Sequence, residues 1–158
     1  MHKTKNDIPE ELRTQLIEML NARLADAADL KSQAKQAHWN VKGANFIALH
    51  ELFDQVATDA DVYVDDLAER VVQLGGTAYG TVRMAAARSS LSEYPGDITE
   101  GAAHVEALSG ALSQFGRSIR INIDEAASLQ DADTADLFTE ISRGVDKHLW
   151  FVEAHEQA

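Results

Sequence analysis

The sequence predicts an all-α protein built from four long helices, paired as two antiparallel hairpins and joined by one long crossover. Three observations carry this expectation. Apolar residues recur at helical spacing over several extended stretches, and no stretch alternates in the two-residue rhythm of a strand. Proline occurs only at positions 9 and 95, so helix breakers are scarce. The remaining breaks, at Val41–Asn45, Gly75-Gly76 and residues 77–96, divide the chain into the expected pieces.

The first helix is expected to begin near Pro9, where Asp7-Ile8-Pro9-Glu10 offers a capping acid, an early-turn proline and a following Glu. Leu12, Leu16, Leu20 and Leu24, then Ala27, Ala34 and His38, keep one face as far as the break at Val41–Asn45. The second runs from about Phe46 to Leu74 and stops at Gly75-Gly76. Residues 77–96 carry Gly80, Ser89, Ser90, Pro95 and Gly96 and hold at most a short helix over 81–88. A third helix is expected from Asp97-Ile98-Thr99-Glu100 to about Ala127. The fourth is expected from Asp133-Thr134-Ala135-Asp136, with Leu137, Ile141, Val145, Leu149 and Val152 on one stripe.

Short links within each pair of helices require antiparallel hairpins. The middle segment is too long for an idle loop. Its twenty residues reach at most ~70 Å when extended, enough to run back along helices of ~45 Å. The expected organisation is a short flexible tail over residues 1–8 and a single four-helix bundle over 9–158.

Composition narrows the function. The chain has 158 residues, with 26 acids against 14 Lys and Arg and a formal charge of −12. Binding to phosphate backbones is dominated by Lys and Arg, so this balance argues against a nucleic-acid-gripping surface. Cysteine is absent, which excludes disulfides, thiolate metal sites and cysteine nucleophiles. No apolar run approaches the ~20 residues of a membrane span. The start Met1-His2-Lys3-Thr4-Lys5-Asn6-Asp7 lacks the apolar core of a signal peptide, so a cytoplasmic protein is expected.

Five side chains stand out as metal ligands: His38, His50, Asp54, Asp65 and Glu69. His50 and Asp54 are spaced i, i+4 and share a helix face, as do Asp65 and Glu69. The two pairs are in phase, because Asp54 and Asp65 lie almost three whole turns apart. Yet His50 and Asp65 are ~22 Å apart along the axis, too far for one metal centre. A two-fold axis beside the second helix, near Asp59–Ala60, resolves the difficulty. His50 and Asp54 of one chain then face Asp65 and Glu69 of its copy, and the reverse. His38, at the end of the first helix, completes the imidazole side. Mixed imidazole and carboxylate donors suit iron, zinc or manganese.

The run Lys35-Gln36-Ala37-His38-Trp39-Asn40-Val41-x-Gly43, then Phe46-x-x-Leu49-His50-Glu51-x-Phe53-Asp54, then Asp65-x-x-Ala68-Glu69-Arg70, resembles the Dps family. Asp133-Thr134-Ala135-Asp136 and Asp146-Lys147-His148-Leu149-Trp150-Phe151 fit as well, so the resemblance covers nearly the whole chain. The ordinary ferritins' Glu-x-x-His motif does not occur. The resemblance to these miniferritins implies a ferritin-like bundle assembled as a dodecameric shell. It implies a ferroxidase centre between two-fold-related subunits, with His38, His50, Asp54, Asp65 and Glu69 as ligands. Iron is then the metal, and hydrogen peroxide or dioxygen the oxidant. It also implies that Trp39 absorbs stray oxidising equivalents, and that Asp131, Asp133 and Asp136 line a three-fold pore that draws Fe²⁺ inward.

Two other readings compete. A DNA-compacting nucleoid protein would need a basic tail or patch, and His2, Lys3 and Lys5 form the only terminal basic cluster. A structural shell with a vestigial site would be expected to have lost ligands, and all five are present. Weak or absent DNA binding is therefore expected. His104, His148 and His155 lack in-phase partners and are expected to be structural or surface residues.

Overall fold

The computed structural model describes residues 1–157; residue 158, the last of the expected domain, lies outside the described residues. Five helices account for most of the chain: α1 Glu10–Asn40, α2 Phe46–Gln73, α3 Val82–Arg88, α4 Gly101–Ser128 and α5 Ala132–Glu153. Among the described residues there is no strand, and no helix is long and apolar enough to cross a membrane.

The chief packing partners are α1 with α2 and α4 with α5, the two expected hairpins. The core is the meeting of their apolar stripes. Leu16, Leu20 and Leu24 of α1, Phe53 of α2, Phe115 of α4 and Phe138 of α5 are all fully buried. Burial of a side chain this size stabilises by about 2 kcal/mol, which is why stripe position outweighs intrinsic helix propensity here.

The crossover runs along α1, and buried polar residues on that helix hold it there. The Asn21 side-chain amide donates to the Thr77 carbonyl at 3.1 Å and accepts from the Tyr79 amide at 2.9 Å. One helical stretch further, Asp26, fully buried, accepts from the Ser90 amide at 2.6 Å. Gln33 donates to the Ser92 carbonyl at 3.0 Å. The chain therefore returns to the end of the bundle where α1 finishes. There the Lys42 amide donates to the Thr99 carbonyl at 2.9 Å, next to the start of α4. Antiparallel hairpins and a returning crossover give the up–down–down–up order of a ferritin-like bundle.

The helix ends differ from the sequence expectation in several places. Asp7 does not cap α1; Pro9 occupies the cap position and no side chain bonds there. Asp97 does not cap α4 either, since that helix starts four residues later with Glu100 at the cap. Asp131, not Asp133, caps α5 by accepting from the Thr134 amide. At the other end of α2 the glycine signal holds. Gly75 has φ +86°, and the Gly76 amide closes on the Val71 carbonyl at 2.9 Å.

The segment expected to be a flexible tail is tied at several points. The His2 amide donates to the Gly75 carbonyl at 2.7 Å, and the Ile8 amide to Asn6 Oδ1 at 2.9 Å. Arg13, buried, donates to the carbonyls of Ile8 and Leu74 and joins both chain segments.

Candidate metal centre

His38 lies in the last turn of α1 and His50 in the second turn of α2. The five-residue link between these helices turns sharply at Gly43, whose φ of +111° suits glycine. The turn stacks the two imidazoles, with ring centroids 3.7 Å apart and planes 21° from parallel. Each ring is locked by the other's backbone. His38 Nδ1 lies 2.7 Å from the His50 carbonyl, and His50 Nδ1 lies 2.8 Å from the His38 carbonyl. A carbonyl only accepts, so both Nδ1 atoms carry the proton and both rings, when neutral, expose a bare Nε2. This is the arrangement that orients metal-binding histidines.

Asp54 follows one turn after His50. Lys35 Nζ donates to its Oδ1 at 2.6 Å, and this bond is the main reason the carboxyl stays below its ordinary pKa. Both imidazoles favour its charged form as well. The same ammonium sits 5.8 Å from the centroid of the Trp39 ring, which is 66% exposed beside His38.

Asp65 and Glu69 are exposed further along α2. They share one stripe with Asp54, and the stripe also carries Ile47, Val62 and Val72, all more than half exposed. The structure thus brings His38, His50 and Asp54 to one end of α2 and leaves Asp65 and Glu69 near the other. Among the described residues, no three His, Asp or Glu side chains of one chain form a complete metal site.

At the start of α5 the three acids divide. Asp131, expected to line a pore, is 3% exposed and has its oxygens occupied. Arg70 Nη2 donates to both of them at 2.8 and 2.9 Å, while Thr134 supplies its amide and hydroxyl. Burial alone would raise its pKa, but these bonds outweigh it and hold the carboxyl below its usual value. Asp131 therefore serves as cap of α5 and ion-pair partner of Arg70, which occupies its oxygens within the chain. Asp133 and Asp136 are exposed. Asp136 lines a shallow depression with Ala132, Ala135 and Thr139.

Sequence reasoning did not foresee the roles of Lys35 and Arg70, although both lie inside the quoted motifs. His104 and His148 are buried, in keeping with the structural role expected of them, but their partners were not foreseen. His148 Nε2 lies 2.7 Å from Asp59 Oδ2, and His104 Nδ1 lies 2.7 Å from the Tyr94 hydroxyl. His155 is exposed, as expected.

The fold agrees with what is similar to the chain. Residues 17–157 match the ferritin-like domain family. A DNA protection during starvation protein of Agrobacterium fabrum is 47% identical, covering 99% of this chain and 96% of that protein. Among solved structures, a Mycobacterium smegmatis Dps superposes with TM-score 0.94 at 28% identity, covering 99% of this chain and 95% of the other. A Dps from Microbacterium arborescens, solved in a high iron form, gives 0.87 at 32% identity, covering 96% and 97%. Likeness of this degree runs almost from end to end in both sequence and fold, and so the chain belongs to the Dps family of ferritin-like proteins.

Proposed function

We propose that the protein is a ferroxidase and iron store. It oxidises Fe(II), preferentially with hydrogen peroxide, at sites shared between two chains, and it keeps the Fe(III) mineral inside a dodecameric shell in the cytoplasm. DNA is spared because the iron and peroxide that would damage it are consumed. The single observation that carries this reading is the reciprocal lock between His38 and His50. It prepares two bare imidazole nitrogens at one end of an exposed α2 stripe whose other end holds Asp65 and Glu69.

Each kind of residue has a distinct task. The carboxylates of Asp54, Asp65 and Glu69 are hard anionic donors whose charge favours Fe(III) over Fe(II). The neutral imidazoles complete the coordination without adding further charge. Antiparallel packing of α2 on its copy places His50 and Asp54 opposite the partner's Asp65 and Glu69. Two Fe(II) ions each give one electron to one peroxide, which takes up two protons and leaves as two waters. Using both oxidising equivalents at once avoids releasing a hydroxyl radical. Trp39, exposed beside His38, is placed to intercept equivalents that escape.

The shared site is tested by mixing subunits. His50→Ala shells and Asp65→Ala shells should each oxidise iron poorly. Shells reassembled from both chains should recover activity, since some interfaces receive two intact halves. Mixed shells of verified composition that oxidise iron no faster than either parent would sink the shared site. Titration with Fe(II) and peroxide, followed by absorbance and particle mass together, tests storage.

A further inference from the structure

We infer that Tyr94 and His104 form a redox pair that accepts single oxidising equivalents from the iron chemistry, the phenol losing an electron while its proton passes to His104 Nδ1. The inference rests on the ferroxidase reading above and adds a second protective residue within the bundle, on the crossover rather than on the helices that carry the ligands.

Tyr94 lies in the crossover and His104 in the first turn of α4. The phenol oxygen and Nδ1 are 2.7 Å apart, and the rings are nearly parallel with centroids 6.0 Å apart. His104 is 1% exposed, and its Nε2 is buried without a hydrogen-bond partner. Burial holds this imidazole below its ordinary pKa, while the carbonyls of Ile98 and Asn40 lie near enough to offset part of that without completing a bond to Nε2. Burial likewise raises the pKa of Tyr94. The resting pair is thus a neutral phenol donating to a neutral imidazole, with the ring's own proton on the Nε2 side. A positioned base with a free lone pair lets a phenol be oxidised to a neutral radical, the proton and its charge moving to the imidazole, where the carbonyls of Ile98 and Asn40 offset part of the cost of burial.

Position links the pair to the proposed site. The His104 ring is 6.4 Å, centroid to centroid, from Phe53, which sits between His50 and Asp54 on α2. Asn40, whose carbonyl acts on His104, follows His38 and Trp39 on α1. Among the described residues, Tyr94 alone of the three tyrosines has its hydroxyl hydrogen-bonded to an imidazole. Tyr79 lies instead under the Arg88 guanidinium at 4.5 Å, a cation that opposes loss of an electron.

The chemistry balances. When peroxide meets a site holding one Fe(II), one electron from iron yields hydroxide and a hydroxyl-radical-class oxidant. That oxidant takes an electron from Tyr94 and becomes hydroxide; the phenol O–H bond breaks and an N–H bond forms on His104. A later Fe(II) returns the electron and becomes Fe(III), and the proton moves back to the phenolate oxygen.

Two oxidations of the assembled protein test this. In samples frozen during turnover of Fe(II) with excess peroxide, electron paramagnetic resonance should show a neutral tyrosyl radical. Y94F should lose that signal with iron oxidation unchanged, and H104Q should lose it because glutamine is no base. The second oxidation needs no iron: azide radicals oxidise exposed indoles such as Trp39 in metal-free protein. The hole should move on to Tyr94 in the wild type and stay on indole in Y94F and H104Q. If the protein oxidises no iron, the ferroxidase reading fails alone and the azide experiment decides the pair. Undiminished tyrosyl signal in Y94F or H104Q overturns the inference. So does the lack of any tyrosyl radical in the wild type under both oxidants, a result that needs no variant to fold.

Discussion

Asp131 shows how one residue type is put to different uses within six positions. Its carboxylate is buried against Arg70, whose side chain is 12% exposed, whereas the Asp133 side chain is 87% exposed and only 4.0 Å from the same guanidinium. Removing one partner of a buried pair leaves the other charge stranded, which costs far more than the net worth of the pair. Asp131→Ala should therefore lower stability by about 3 kcal/mol, read from the urea midpoint at fixed protein concentration, while Asp133→Ala should change it little. The pH dependence follows from the lowered pKa. The stabilisation from Asp131 is complete above the ordinary carboxylate range near ~4 and is lost as pH falls through the depressed value. Acid unfolding of Asp131→Ala should lack that part of the loss, and a variant with the wild-type acid profile would remove Asp131 from this role.

Among the elements, the joint between α4 and α5 is under backbone strain. Gln130 has φ +62°, in the left-handed region, while the Asp131 amide closes on the Ala126 carbonyl at 3.1 Å. A side chain in this conformation costs roughly 1 kcal/mol, and glycine is the usual occupant. Gln130→Gly should raise the thermal midpoint of the assembled protein by a few degrees, corresponding to about 1 kcal/mol. An unchanged or lowered midpoint would mean that the Gln130 side chain makes up the difference elsewhere. The α2–α5 crossing depends on the opposite device. A Cβ on Gly144 would collide with the Tyr63 hydroxyl, so the missing side chain is what lets the helices approach. Closing that crossing buries Tyr63, and burial, with Asp59 and Glu140 nearby, pushes its pKa up to about 12.

For the whole molecule, charge decides what approaches. Every chain carries a formal −12, and the proposed shell would multiply it, so cations should be attracted and phosphate backbones repelled. Replacing both Asp133 and Asp136 by Asn should slow iron uptake into the core, most visibly at low ionic strength, without preventing assembly. Wild-type uptake in that double variant would leave these acids no part in guiding iron. The same field, together with the tying of His2 to Gly75, should leave binding of duplex DNA weak or undetectable at about 150 mM salt. Lys3 and Lys5 are exposed, and many copies on one shell could act together. A gel-shift titration without divalent metal checks this. Submicromolar retardation that vanishes on removing residues 1–7 would restore the nucleoid role.

The helices, their pairing and the phase of the candidate ligands along α2 were legible in the sequence because they depend on spacing. Apolar stripes, glycine stops and i, i+4 pairs are local patterns, and α2 and α3 fall within a residue of their expected bounds. The separation of His50 from Asp65 along one helix was legible for the same reason: rise per residue is a constant. What tertiary structure decided was which polar groups become buried and what they meet there. The i, i+4 and capping patterns do not show that Arg70 reaches 61 positions ahead to Asp131, or that Asp26 takes the Ser90 amide 64 positions away. Those pairings depend on how the helices and crossover pack, and the cost of burying an unpaired charge then makes each partner necessary. The two Nδ1 locks are of the same kind. His50 was singled out as a candidate ligand by its spacing to Asp54, and His38 by its place at the end of the first helix, but the tautomer that frees each Nε2 is set by a carbonyl on the other helix, which only the closed turn brings within reach.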